Sequence, residues 1–147
     1  MAAGLSKESL NAIMPRALEK NVDRYLKPLL ASMPKYGIRS RVRSTHFIAQ
    51  ITHESASFRY TEELASGEAY EDRHDLGNIY PGDGKRFKGR GLIQLTGRAN
   101  YEAYSDDTGI DYVSQPKLLA KDPRVAVDVA CWFWKKNGLN AWRTRTM

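Results

Sequence analysis

The chain has 147 residues, 41% of them apolar, with a single cysteine and a net charge of +6. That length suits one domain with a hydrophobic core. No apolar run approaches the roughly 20 residues that a membrane-spanning helix requires, and Cys131 alone cannot form an internal disulfide, which suits a reducing compartment.

The charge is uneven. Residues 1–50 hold nine Lys/Arg against three Asp/Glu, whereas residues 51–147 hold fourteen of each. A basic face there would favour an anionic partner such as a cell-wall polymer, a membrane surface or nucleic acid. The start, Met1 to Glu8, has no basic segment followed by an apolar block. No secretory signal is therefore expected, and synthesis in the cytoplasm follows.

In chain order, Leu10, Ile13 and Met14 share one helical face, and Val22, Tyr25, Leu26 and Leu29 repeat that spacing. Pro15 divides them into two helices. Pro28 fits the first turn of a helix that Gly37 stops. Ser40 is an N-cap for a helix reaching about Glu54. Phe47, Ile51 and Glu54 lie at i, i+4 and i+7, so Glu54 shares a stripe with core residues. Apolar surroundings disfavour an ionised carboxyl, and a general acid must hold its proton.

Between Asp75 and Gly91 the composition changes, with Gly77, Gly82, Gly84, Gly89, Gly91 and Pro81 in seventeen residues. Turns are expected there, with Arg86–Lys88 and Leu92–Leu95 pairing as a small antiparallel sheet. Helix returns near Ala99–Tyr104. A last helix takes Asp122 as cap and Pro123 at its first position, carries Val125, Val129, Trp132 and Phe133, and ends at Gly138. The whole reads as one mainly α domain (α+β) over residues 1–147, a helical body with a small sheet.

Several apparent motifs fail. His53-Glu54 opens like a zincin helix, but position 57 is serine, and His46, His53 and His74 have no metal-ligand spacing, so no metal is expected. Gly89-Arg90-Gly91-Leu92-Ile93-Gln94 lacks the third glycine of a dinucleotide fingerprint. Lys88–Leu95 lacks the stacking aromatics of an RNA-binding strand, so no nucleic acid is expected. Cys131, Trp132 and Trp134 sit in an apolar helix and read as core.

Two glutamates nine residues apart, Glu54 and Glu63, are a weak signal alone. Cleaving a glycosidic bond needs one protonated and one ionised carboxyl group. The company of these two is more specific. His53-Glu54-Ser55, Glu62-Glu63-Leu64-Ala65-Ser66-Gly67, Tyr70-Glu71, Asp75-Leu76-Gly77-Asn78, Pro81-Gly82-Asp83-Gly84 and Gly89–Tyr101 occur in that order. Together they resemble the catalytic core of glycoside hydrolase family 19, and within it the phage endolysin branch, over roughly residues 10–140.

The resemblance implies a lysozyme-superfamily fold with a substrate cleft and an inverting hydrolysis without cofactor. It implies Glu54 as general acid, Glu63 as general base and Thr96 as a hydroxyl holding the attacking water. Gln94, Asn100, Tyr101 and Arg90 match substrate contacts. The implied activity is cleavage of β-1,4 bonds in peptidoglycan by a monomeric endolysin that reaches the wall through a holin-type membrane lesion and does not itself insert stably in the membrane. The alternatives are a chitinase using the same residues, or a non-catalytic glycan-binding remnant. Relatives continue with further helical sequence after the helix around Trp132–Leu139, so the C-terminus is read as short.

Overall fold

The computed structural model describes residues 5–138. Seven helices follow in order: α1 (Lys7–Ile13), α2 (Glu19–Lys35), α3 (Arg41–Glu54), α4 (Asp83–Arg86), α5 (Arg98–Thr108), α6 (Leu118–Lys121) and α7 (Pro123–Lys136). Short 3-10 turns at Glu68–Tyr70 and His74–Leu76 fill the long segment between α3 and α4.

The helix ends follow their capping chemistry. The Ser40 hydroxyl accepts from the Arg43 N–H, and Asp122 accepts from the Arg124 N–H with Pro123 behind it. Pro15 separates α1 from α2 as expected. Pro28 does not start a helix, however: it lies inside the seventeen-residue α2. The apolar stripe of Val22, Tyr25, Leu29 and Met33 runs past it, all buried, so packing outweighs the missing N–H.

The helix α7 is the centre of the domain. Ala126, Val127, Val129, Ala130, Cys131, Trp132 and Trp134 are all buried, a pattern that goes round the helix and marks it as interior. Packed against it are α2 and α6. Phe47 of α3 meets Trp134 edge to face at 5.4 Å, and Tyr104 of α5 meets Trp132 at 5.1 Å. The two tryptophans and Cys131 are therefore core, as read from the sequence.

The expected small sheet does not form among the described residues. Only isolated antiparallel bridges join Glu62 to Arg90 and Arg90 to Leu95. Arg86 belongs to α4, and Leu92–Leu95 is a buried turn rather than a strand. The reason is local: Gly91 and Gln94 both take positive φ, +80° and +59°, which curls the chain before a ladder can extend. The fold is thus mainly helical.

Candidate active site

The turn Gly89–Gly97 is fastened to the core from below. The Leu92 N–H donates to the Ala126 carbonyl of α7, and the Gly91 N–H donates to the Thr61 carbonyl. Thr61 in turn donates from its hydroxyl to the Ala120 carbonyl. Gly91 must be glycine here, because a Cβ would stand 2.6 Å from the Val129 side chain. Close approach to α7 fixes the height of everything the turn carries.

On that turn sits the base candidate's support. The Gly89 N–H donates to Glu63 Oε1 at 2.6 Å, and the Tyr70 hydroxyl donates to Oε2 at 3.2 Å. The Glu63 N–H returns a bond to the Gly89 carbonyl. Both carboxyl oxygens thus act as acceptors, the role of an ionised carboxylate, which still keeps further lone pairs. Burial first, and then the Glu63 charge, raise the Tyr70 phenol above its ordinary value, so it stays a donor.

Thr96 and Gln94 join this group. A methyl placed on Gly89 would lie 2.9 Å from Gln94 Oε1, 3.3 Å from Thr96 Oγ1 and 3.4 Å from Glu63 Oε1. Three polar side chains thus converge on one point that only a hydrogen atom of Gly89 occupies. The Thr96 hydroxyl donates to the Gln94 carbonyl, and the Asn100 amide donates to the Thr96 carbonyl. The Gln94 amide donates to the Gly91 carbonyl. Part of the polar capacity of Gln94 and Asn100 therefore builds the turn, and their amide oxygens remain as acceptors for a ligand.

Glu54 closes α3. Phe47 and Ile51 on its stripe are fully buried, while Glu54 is half-buried. The stripe leaves the core at this residue, so full apolar enclosure is not what surrounds it. Its Oε1 accepts from the Gln50 amide at 3.0 Å, one turn back on the same helix. Oε2 has no hydrogen-bond partner among the described residues. The two carboxyls are thus treated differently: Glu63 has both oxygens engaged, Glu54 one.

Immediately after Glu54 the backbone is strained. Ala56, Ser57 and Phe58 take φ of +50°, +59° and +69° in succession. Left-handed conformation costs a non-glycine residue about 1–2 kcal/mol each. The turn is held by the Ser55 hydroxyl, which accepts from the Phe58 N–H, and by Phe58 itself, buried against Tyr25 at 5.1 Å. Such strain persists where the surroundings over-determine it, often beside functional groups.

Two predicted contacts need correction. Arg90 and Tyr101 are 3% and 0% exposed. Arg90 pairs with Glu62 at 2.8 Å and donates to the Arg86 carbonyl and the Tyr101 hydroxyl. Tyr101 donates to the Lys88 carbonyl, and its hydroxyl is pushed up to about 12, by burial above all. These side chains are spent on protein, so they support the site from behind instead of touching substrate. Burial works against the charge of Glu62, but Arg90 and Lys88 outweigh it and hold its carboxyl below the usual range.

Sequence reading gave no role to Tyr70, Gly89 or Gln50. Gln50 was detectable as the i−4 neighbour of Glu54. Nothing in the sequence placed Tyr70 on Glu63. Concavity alone does not find the site either. A cavity of about 1260 Å³ lies among α2, α5 and α7 around Asp128 and includes none of the predicted residues.

Comparison with known proteins identifies the family. The family described as class I chitinases, glycoside hydrolase family 19, matches residues 41–142. An endochitinase of Arabidopsis thaliana is 41% identical over 91 residues, which cover 61% of this chain and 31% of that protein. A glycosyl hydrolase family 19 domain-containing protein of Haemophilus influenzae is 38% identical over 73 residues, 50% of this chain and 36% of its own. The crystal structure of chitinase C from Streptomyces griseus superposes with a TM-score of 0.69 at 26% identity, covering 88% of this chain and 53% of that one. The chain spans about a third of the length of three Arabidopsis thaliana endochitinases that it matches.

Proposed function

The chain belongs to glycoside hydrolase family 19, and we propose that it hydrolyses β-1,4 bonds in N-acetylglucosamine-containing glycans, with chitin-type chains as first substrate. Relatives named endochitinases support that choice. The observation that carries the chemistry is the clasp on Glu63: two donors on its carboxylate, with Thr96 and Gln94 converging beside it.

In this reading a water is held between Glu63 and the Thr96 hydroxyl. Its oxygen attacks the anomeric carbon while its proton passes to Glu63. The bond to the leaving oxygen breaks, and that oxygen takes the proton of Glu54. Attack and departure on opposite faces invert the anomer, which calls for carboxyls about 6.5–9.5 Å apart. No cofactor takes part.

A second reading, cleavage of peptidoglycan by an endolysin, is favoured by the +6 charge. Glycan strands bearing peptide carboxylates are anionic, whereas chitin is neutral. A monomer released to the wall by a holin-type lesion belongs to that reading. Parallel assays on chitin oligosaccharides and purified peptidoglycan, with proton NMR of the first-formed reducing end, separate the two. A retained anomer would overturn the single displacement, and absence of cleavage of both polymers would overturn the enzyme.

A further inference from the structure

Away from Glu54 and Glu63 lies a second cavity of about 570 Å³, between α4, α6 and the loop that precedes α6. Its lining includes five cations, Lys85, Arg86, Arg90, Lys117 and Lys121, and no carboxylate. Two of these charges are answered nearby. Glu62 pairs with Arg90 at 2.8 Å and Glu68 with Lys85 at 3.2 Å. The Lys117 and Lys121 ammonium groups make no ion pair or hydrogen bond among the described residues. Asp111 flanks the rim; its carboxyl is held low chiefly by the Ser114 hydroxyl and amide, and more weakly by Arg86.

Three cations in one concavity therefore keep much of their charge uncompensated. This is surprising on sequence grounds, since residues 51–147 are neutral overall. Folding has gathered the cations of this half and sent their counter-charges elsewhere. Like charges in a hollow repel each other, and a hollow focuses their field. An anion relieves the one and is drawn by the other.

The type of anion follows from what remains free. The fork of an arginine meets a carboxylate or a phosphate with two parallel bonds, whereas a lysine binds phosphate as a point charge. Both forks here are committed. Arg86 directs Nε and Nη2 to the Val113 carbonyl, and Arg90 directs Nε to Glu62 and Nη1 to the Arg86 carbonyl and Tyr101. What is left is ammonium groups on flexible stems, point charges without a preferred plane, and these suit the tetrahedral oxygens of phosphate. Gln115, also on the wall, can add a neutral donor, whereas the Ser114 hydroxyl and N–H are given to Asp111.

We propose that this cavity binds a phosphate-bearing ligand with at least two negative charges, either a free diphosphate-type anion or the headgroup of an anionic lipid. The site stands whether or not Glu54 and Glu63 cleave glycans, since it shares no side chain with them.

The test is titration of the protein with inorganic pyrophosphate, followed by calorimetry and by amide NMR. Saturable one-to-one binding is expected, with the largest amide shifts at Lys85, Lys117, Leu118 and Lys121. Lys117→Gln together with Lys121→Gln should weaken it at least tenfold. Lys20→Gln, on the exposed side of α2, should leave it unchanged. Both lysines of the double variant are exposed, so the fold is expected to survive, and the wild-type shift map gives an answer even if it does not. Diffuse shifts spread over many surface lysines, or an equal loss in Lys20→Gln, would overturn the site. Sedimentation with phosphatidylglycerol vesicles then assigns the source. Vesicle binding that the double variant loses points to the lipid headgroup, and pyrophosphate binding without vesicle binding points to the free anion.

Discussion

In the helical body, Phe47 and Trp134 meet edge to face with no exposed surface. Between Glu62 and Gly97 buried charge joins the buried apolar residues Phe87, Leu92, Ile93 and Leu95. Asp83 is 1% exposed and receives two bonds of 2.8 Å from Arg98. Asn78, fully buried, donates to the Tyr70 carbonyl and accepts from the Arg98 N–H. Glu71 caps the Gly82 and Gly84 N–H groups. One region is secured chiefly by transfer of apolar surface from water, and the other adds directed polar bonds around buried charge. The difference teaches why the site lies where it does. Directed bonds can hold a carboxylate at a chosen point, whereas a packed apolar core would expel it.

The largest expected effect tests whether the polar region serves chemistry. Glu63→Gln keeps the shape of the clasp but cannot accept the water's proton. General base catalysis is worth about 10²–10⁴-fold, so kcat on a chitin oligosaccharide should fall by that much with Tm little changed. Glu54→Gln should match it. Near wild-type turnover by either folded variant would remove that residue from the mechanism.

A paired measurement then sharpens the contrast in stability. Phe47→Ala opens a cavity in the body and should cost about 3–5 kcal/mol. Arg98→Ala strands the buried Asp83 charge and should cost a similar amount, about 3–5 kcal/mol, near neutral pH. Acid separates them. Hydrogen bonding from Arg98, which outweighs burial, holds the Asp83 carboxyl below its usual range. A depressed folded value means stability that is present above the unfolded value of about 3.9. It is lost as pH falls through the folded value beneath that. In denaturant titrations the penalty of Arg98→Ala should therefore shrink below about pH 4, and that of Phe47→Ala should not. A penalty of Arg98→Ala that stays constant with pH would mean that it acts through lost packing on Tyr80 and Phe87.

A smaller effect is expected where the two regions touch. Gly89→Ala should lower kcat about tenfold or more, since its methyl would crowd Gln94 and Thr96 where the water is to be held. The side-chain ends it meets can give way, so Tm should change little. An unchanged kcat would place the water elsewhere.

The same division governs what could be read from the sequence. Apolar spacing, Ser40 and Asp122 located α3 and α7 because helices report themselves through local periodicity and caps. Ile13 shares a face with Leu10 and Met14 yet is 41% exposed, so a shared face does not by itself tell which residues are buried. The glycine-rich segment looked like strands because turn signals on either side of apolar residues suit a hairpin. What decided otherwise was the positive φ at Gln94, a non-glycine residue whose N–H and side-chain amide both donate back to the Gly91 carbonyl. Glu54 and Glu63 were found through motif order, not spacing. Arg90 and Tyr101 were assigned to substrate because burial of a polar residue leaves no trace in the sequence when its partners, Glu62 and the Lys88 and Arg86 carbonyls, are brought by the fold.

The smallest effect concerns Tyr70, which lies on the polar side of the comparison but contributes a single bond. Its hydroxyl donates to Glu63 Oε2 at 3.2 Å, whereas the Gly89 N–H reaches Oε1 at 2.6 Å. Tyr70→Phe deletes only the weaker, longer bond and leaves the ring in place. One hydrogen bond is worth about 0.5–1.5 kcal/mol net. At 1.36 kcal/mol per tenfold this is a fall in kcat of roughly two- to twelvefold. KM should stay near its original value if the bond only positions the base. The sign has a second possible contribution, because a carboxylate relieved of a donor becomes a stronger base. The pH profile separates the two. Loss of a donor to the ionised form should move the acid limb of kcat upward in pH. A kcat that falls with no movement of that limb would mean that the phenol positions Glu63 without tuning it. A kcat that is unchanged would leave the backbone clasp of Gly89 as the sole support of the base.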